Sequence, residues 1–386
     1  MRHRLVLRTH DGEELTTLSN VVKWDLVRVA NDIGWWTVTL TADFPREFLR
    51  IDNIIEFWRQ PSGASETLLM VGFLRYFEWK TDETGKTQLM IGGPDPIELL
   101  NRRIIQNFAE TDPTTKGPDY ADDMIKEFVD EQFLTTAVRL GDIYYSRSSG
   151  LPASHFSIAP DTSQGFDGTS KQASWRFVLP ILQEIAEASW NQGTRIYFDL
   201  EYVGPAQLMF TTWADLRGID RTIGTEIAPI VFSQESGNLS KPSLRFDYTE
   251  EVNFCYGGGQ GQGVDREVDP ENDEPRSQLS IWNRREAFAD ARECPAGEVP
   301  TYCIAGKAYD RMQSGRPSVL FEGDLVDTPT TRFGVDWFYG DKVTVQYRGY
   351  ELDGRVDQFS VSMGEDGTEQ IIARVSILEA IEGHPD

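Results

Sequence analysis

One pattern of turn and strand residues occurs twice in this chain, and an internal repeat constrains architecture before any local assignment. Near the N-terminus Asp52 opens the run Asp-Asn-Ile-Ile-Glu-Phe-Trp-Arg, which ends at Arg59 and is followed by Gly72, Phe77 and Gly85. Near the C-terminus Asp341 opens Asp-Lys-Val-Thr-Val-Gln-Tyr-Arg, which ends at Arg348 and is followed by Gly354, Phe359 and Gly367. The Asp-to-Arg step is seven residues in both copies, and the Gly–Phe–Gly steps are five and eight in both. Only the stretch from Arg to the first Gly differs, thirteen residues against six, which is where a hairpin loop would vary. Both copies then enter alternating strand sequence, Gln88 to Ile91 and Gln370 to Ala373. These ten positions predict two similar β units in one polypeptide.

A length of 386 residues suggests two or three domains, each able to bury a core. A hydrophobic content of 39% with 11% aromatic residues is that of a folded protein. No apolar run approaches the roughly 18–20 residues that span a bilayer, so no membrane anchor is expected. The opening Met-Arg-His-Arg-Leu-Val-Leu-Arg turns polar too soon for a secretory signal, which predicts folding in a cytoplasm. Cys255, Cys294 and Cys303 are too few for a disulfide scaffold. Cys294 and Cys303 lie close enough in sequence to pair, but a reducing compartment predicts free thiols. The net charge of −25, from 62 acidic and 37 basic residues, argues against a surface that grips nucleic acid or anionic lipid. It leaves two uses open, solubility or proximity to DNA without adhesion.

Along the chain, residues 1–110 read as a first β-barrel domain. Trp36-Thr-Val-Thr-Leu-Thr alternates with period two, Ile54–Trp58, Leu68–Val71 and Phe73–Trp79 supply further strands, and Gly85 marks a hairpin turn. Pro96 to Arg103 reads as a short helix. Residues 111–236 read as an α/β insertion. Tyr120, Met124, Ile125, Phe128 and Val129 fall at helical spacing behind Asp119 as N-cap. A Ser/Gly/Pro-rich loop is expected from Tyr145 to Thr169. A second helix is expected from Ser174 to Trp190, kinked or begun at Pro180, and then a hairpin turning at Gly204-Pro205. Residues 237–386 read as a second β-barrel domain with a glycine-rich loop after Cys255, an acidic loop from Glu267 to Pro275, and a short helix from Asn283 to Cys294. The fold class is therefore α+β, mostly β: two similar β-barrel domains around an α/β insertion.

No catalytic, cofactor or metal site emerges from the residues. Gly257–Gly263 contains neither G-x-G-x-x-G nor G-K-[ST], so close backbone approach is expected there rather than a phosphate. His3, His10, His155 and His384 have no zinc-site spacing. Only His155, beside Ser154, could serve a nucleophile, and an exposed loop histidine is the expectation. Asp122-Asp123 is expected on a solvated helix face. Asp269, Glu271, Asp273 and Glu274 lack the glycine turn and terminal glutamate of a calcium loop, and a solvated acidic loop is expected. Trp24, Trp35, Trp36, Trp58 and Trp79 sit on alternating strands, where core packing is expected over a sugar platform.

The order of segments resembles the siphovirus tail-hub (tail-tip, baseplate hub) proteins of tailed bacteriophages over nearly the whole chain. The resemblance is carried by Asn31-Asp-Ile-Gly-Trp-Trp-Thr-Val-Thr-Leu, Ile51-Asp-Asn-Ile-Ile-Glu-Phe-Trp-Arg, Pro96-Ile-Glu-Leu-Leu-Asn-Arg-Arg-Ile and Asp122-Asp-Met-Ile-Lys. Trp175-Arg-Phe-Val-Leu-Pro-Ile-Leu-Gln-Glu-Ile-Ala, Asn253-Phe-Cys-Tyr-Gly-Gly-Gly and the C-terminal repeat complete it. It implies a ring-forming structural virion protein, not an enzyme, without cofactors. It further implies a homotrimer at the tail tip whose two barrels per chain match a sixfold tube, with DNA only as passing cargo. The implied partners are the tail tube, the distal tail protein and other tail-tip or receptor-binding proteins, with assembly in the host cytoplasm. Many such hubs carry a long C-terminal extension, and this chain stops at Asp386, so lytic or receptor-binding activity is expected on separate proteins. The rival readings are a cell-wall-degrading or glycoside hydrolase and a host carbohydrate-binding β module.

Overall fold

Alternating apolar residues make eight strands in the first quarter of the chain. These are β1 (Arg2–Arg8), β2 (Glu14–Thr17), β3 (Val21–Val29), β4 (Asp32–Thr41), β5 (Ile54–Gln60), β6 (Thr67–Phe73), β7 (Tyr76–Thr81) and β8 (Thr87–Pro94). The computed structural model describes residues 2–105, 114–134, 151–168, 170–295 and 301–377. Next come α1 (Ala121–Phe133), β9 (Phe156–Ile158), α2 (Val178–Asn191), β10 (Ile196–Gly204) and β11 (Gln207–Ala214). The remainder holds β12 (Asp220–Arg221), β13 (Val231–Ser233), β14 (Leu239–Asp247), β15 (Phe254–Gly258), β16 (Val268–Asn272) and β17 (Glu286–Asp290). It ends with α3 (Thr301–Ser314), β18 (Ser318–Leu325), β19 (Lys342–Tyr347), β20 (Tyr350–Met363) and β21 (Glu369–Ile377).

The sheet order contains the same motif twice. In the first quarter, antiparallel neighbours run β3-β4-β8-β7, and from Leu239 onward they run β14-β18-β21-β20. Even the registers agree. Phe77, eight residues before Gly85, faces Ile91, six after it; Phe359, eight before Gly367, faces Ala373, six after it. The two runs meet where β20 pairs with β3, giving one continuous path β14-β18-β21-β20-β3-β4-β8-β7 within an 11-stranded sheet. The other three strands, β19, β12 and β13, extend from the first half of β20.

Among the described residues no barrel closes, which corrects the expectation of two barrel domains. The reason lies in the pairing: β20 bonds to the first strand of the other run instead of returning to its own. What closes over the sheet is a second layer. The four-stranded sheet β2-β1-β5-β6 lays Leu5, Leu7, Ile55 and Phe57 against Trp24, Leu26, Trp36 and Val38. The Phe57 ring lies 5.6 Å from Trp24 and 5.7 Å from Trp36, in tilted aromatic contact. Phe321, Phe359, Val361, Phe333 and Trp337 continue the same core through the second run. A separate core joins α1, α2 and the β10–β11 hairpin through Phe128, Phe133, Phe156, Ile181, Leu182 and Phe210.

Several local expectations are corrected. Helix α1 begins after Tyr120 without a side-chain cap, and the Asp119 carboxylate accepts instead from the Tyr120 amide at 2.7 Å. Helix α2 starts only at Val178, because Trp175 takes a left-handed φ of 55° and Arg176–Phe177 is extended. Pro180 then falls in the first turn, where its missing N–H leaves no helical bond unmade. Asn283–Cys294 is not a helix: Glu286–Asp290 forms β17 and pairs in parallel with β15. The acidic stretch after Glu267 is also a strand, β16, with Asp269 and Glu271 paired to Gly257 and Cys255. Cys294 and Cys303 form a disulfide, not free thiols, because the turn after β17 and the first turn of α3 bring their Cα atoms within 5.9 Å. Cys255 is the free cysteine, and it is buried.

Close approach explains the glycines that matter here. A Cβ on Gly257 would lie 2.5 Å from the Ile304 carbonyl oxygen. On Gly72 it would lie 1.9 Å from Nε1 of the fully buried Trp36. Gly72→Ala should therefore displace that indole and lower unfolding stability by about 1–3 kcal/mol, read from denaturant midpoints.

Candidate assembly surface

Among the described residues the large sheet leaves two strands with a single neighbour along its path, β7 at one end and β14 at the other. Every residue of β7 is exposed, including Tyr76 at 39%, Phe77 at 43% and Trp79 at 39%. Phe77 faces Ile91 and Trp79 faces Leu89, both fully buried, so these rings lie on the core side of the sheet and are open only at its edge. On β14, Leu244 and Phe246 likewise face Phe321 and Val319 of the core. Residues with such side chains in such places mark an unfinished sheet.

The opposite face of this sheet is largely polar, with Val27, Trp35, Met90, Leu320 and Ile372 set among the polar residues. It carries Ser, Thr and Gln with Asp25, Glu78, Asp247, Glu322 and Asp324 set against Lys23, Lys80, Lys241, Arg245 and Arg374, close to charge balance. Many of these groups bond to one another: Thr37 to Asp25 at 2.5 Å, Gln370 and Lys241 to Asp324 at 3.0 Å, and Arg374 to Glu322 at 3.1 Å.

The ten repeat positions have unequal fates. Gly85 and Gly367 both take positive φ, 82° and 76°, in equivalent turns. Gly72 faces Ile55 and Gly354 faces Val343, each on the second strand of a hairpin. Phe77 is an exposed edge residue, whereas Phe359 is 1% exposed. Asp52 reaches Arg102 at 2.9 Å, whereas Asp341 is buried and accepts from the Ile219 and Phe338 amides and from Arg221. Arg59 is fully buried, while Arg348 is exposed in the Arg348-Gly349 turn at φ 55°.

Arg59 ties the two copies together. Its guanidinium donates to Glu369 at 2.8 Å, to Asp327 at 2.6 Å and to the Phe333 carbonyl at 2.5 Å. The His3 ring meets the same Glu369 at 2.6 Å. A second buried network spans the sheet and the middle segment. Arg28 on β3 and Arg217 after β11 both donate to Asp199 on β10, at 2.5 and 2.8 Å, and both stack on the Tyr339 ring, at 5.1 and 4.8 Å. Burial opposes the Asp199 charge, yet the two arginines hold its carboxyl below the usual range. Nearby Asp95 goes the other way: burial, with help from Asp199 and against Arg28, pushes it up to about 7.

Other sequence candidates sit apart. Asp122 and Asp123 are buried, not solvated. Asp122 accepts from Thr162, Gln164 and Lys126 and so fastens the 160s loop to α1. His155 contacts Ser154 at 2.9 Å beside an exposed turn. Trp24 and Trp36 are core residues, but Trp35 is 44% exposed on the polar face and Trp79 lies on the edge. The Arg28–Asp199–Arg217–Tyr339 network carries no sequence signal, since its members are up to 311 positions apart and none stands in a local motif. Among the described residues no helix is long and apolar enough to cross a membrane, and no group of three metal-ligating side chains occurs.

Residues 5–375 match the profile of the family described as Siphovirus ReqiPepy6 Gp37-like protein. The chain belongs to that family. No curated protein matches it. Among solved structures, the fold is similar to the tail protein from Neisseria meningitidis (TM-score 0.57, 12% identity, 97% of each chain). It is also similar to the 43 kDa tail protein of prophage MuSo2 from Shewanella oneidensis (TM-score 0.58, 12% identity, 97% of each chain). A third likeness is to an E. coli component of the type VI secretion system (TM-score 0.50, 9% identity, 99% of this chain and 79% of that one). At such identities the likeness is one of fold alone, and this Gp37-like chain shares its architecture with all three.

In the Gp37-like fold the Arg59 cluster should set acid stability. Burial opposes the Glu369 charge, but Arg59 and His3 bond to it and hold it down at about 2, against 4.5 unperturbed. A depressed carboxyl contributes stability above the unfolded value, and that contribution is lost as pH falls from about 4.5 towards about 2. Glu369→Gln should flatten stability across that window and cost about 2–3 kcal/mol at pH 7, measured by urea titration at each pH.

Proposed function

We propose that this chain is a structural, non-enzymatic tail-tip hub of a phage or phage-derived particle. Three copies form a ring around a DNA channel and adapt a sixfold tail tube to a threefold tip. Family membership supports the tail assignment. The single observation that carries the ring is the doubled strand order β3-β4-β8-β7 and β14-β18-β21-β20, fused at β20·β3 and left open at both ends. Six similar contacts can come from three identical chains only if each chain supplies two like units. In this reading the barrel belongs to the assembly, and residues 1–110 and 237–386 each contribute a quasi-equivalent part of its wall. The insertion, residues 111–236, is fastened outside that wall through Asp199 and its arginines. The tail tube, the distal tail protein and other tip or receptor-binding proteins are the partners of the ring.

The polar face of the sheet supplies the channel wall. Three copies carry a formal charge of −75, three times −25, yet this face is near balance. Exposed charges are screened over roughly 8 Å at physiological salt, so acid placed elsewhere on the ring acts little inside it. A wall of hydroxyls, amides and largely self-paired ions, with a few apolar side chains among them, offers DNA no run of cations on which to lodge.

Light scattering on the purified protein, with electron-microscope images of the same peak, tests the reading. The expected result is a mass of about three times 43.8 kDa and threefold rings with an open centre. A chain that stays at 43.8 kDa across concentration overturns the self-assembling hub.

A further inference from the structure

We infer that strand β7 of one copy pairs antiparallel with strand β14 of a second copy, in a register that places Glu78 opposite Arg245. The inference rests on the ring reading above and specifies its subunit junction. Each run has a first and a last strand. Within the chain, the last strand of the second run, β20, pairs with the first strand of the first run, β3. The last strand of the first run, β7, and the first strand of the second, β14, are the two left over. A second copy of this chain therefore offers β7 the same kind of strand edge that β3 offers β20.

The register follows from the ladders alone. Matching Gly85 to Gly367 sets Glu78 on Ser360 and Pro94 on Ser376. Pro94 faces Trp35 and Ser376 faces Leu320, which sets β4 on β18. Trp35 faces Val27 and Leu320 faces Arg245, which sets Val27 on Arg245. Inside the chain Ser360 faces Val27, so between chains Glu78 faces Arg245.

Charge and apolar character agree with that register independently of the ladders. On the polar face an acid meets a base. On the core face Phe77 meets Phe246 and Trp79 meets Leu244, so rings now exposed become cross-strand pairs over a continuous core. In the single chain Arg245 turns to Asp247 and Glu78 accepts the Tyr76 hydroxyl, contacts made at an exposed edge and free to exchange. Two positions beyond Trp79, Thr81 would face Pro242, which has no N–H to give, so the ladder ends there.

The test is disulfide trapping in the full-length chain. Glu78→Cys with Arg245→Cys should close, under mild oxidation, into a covalent trimer on a non-reducing gel. Glu78→Cys with Asp247→Cys, two residues out of register, should not. Separately, E78R and R245E should each weaken the junction about five-fold, and the double exchange should restore the ring mass. A ring of the expected mass in which Glu78→Cys and Arg245→Cys stay reduced, or in which the shifted pair closes equally well, overturns this register and leaves the hub reading standing. A chain that remains monomeric overturns both.

Discussion

The ladder between Gln358–Met363 and Trp24–Val29 is the contact on which the architecture depends. Backbone N–H and C=O groups at a sheet edge must find partners or stay in water, and a long apolar edge left in water invites the wrong partner. This chain satisfies one pair of edges internally by joining its C-terminal run to its N-terminal run. The joint forces the two runs to share one core, so Trp36 and Phe359 belong to the same hydrophobic cluster although 323 positions separate them. It also forbids each run from closing on itself. The remaining edges are managed unequally. Pro242 and the bulge between Ser240 and Ser243 blunt one end of β14, while β7 has neither proline nor bulge and presents three aromatic rings.

Buried ions reinforce that joint at two places. Taking charges out of water costs several kcal/mol each unless geometry returns it, so buried pairs are weak evidence for stability and better evidence for a fixed arrangement. Arg59 satisfies three acceptors from residues 327, 333 and 369, and it can do so only when the first copy's outer sheet sits on the second copy's turn. Arg28, Arg217 and Asp199 perform the same service between the sheet and the middle segment, with both guanidinium groups over the ring of Tyr339. Each cluster draws on segments remote in sequence. The relative placement of the parts is thus written in charge complementarity as well as in apolar burial.

What was legible in the sequence was what depends on local conformation. The Gly85 and Gly367 turns need positive φ, and both were readable because glycine signals that need directly. Strand alternation and the apolar stripe of α2 were readable for the same reason. What escaped depended on remote partners. Arg59 and Arg348 occupy matching positions in sequence, but one is enclosed by residues some 270–310 positions away and the other is the tip of a turn. Asp122 and Asp123 looked solvated because a helix face reveals nothing of the loop that will cover it. The Asn283–Cys294 stretch has the periodicity of a helix, yet β15 offers it a parallel ladder and tertiary pairing overrides propensity. The pairing of Cys294 with Cys303 depends on where β17 delivers the chain relative to α3, and spacing alone does not report that.

The strong acidity and the balanced polar face fit together once the sheet is regarded as a wall with two sides. In the proposed ring a net charge of −25 on each chain would set like copies repelling over a Debye length. The proposed junction would have to overcome that repulsion locally, and the strands at the two open edges are not uniformly acidic. Edge β7 carries Glu78 and Lys80, and edge β14 carries Arg245 and Asp247, so each presents both signs in alternation along the polar face. Alternating signs reward one register and penalise a shift of two residues, which would place like charges opposite one another. The same alternation leaves the polar face near neutral. The alternation that would fix the proposed junction in one register therefore also leaves the face without a cationic track for a polyanion.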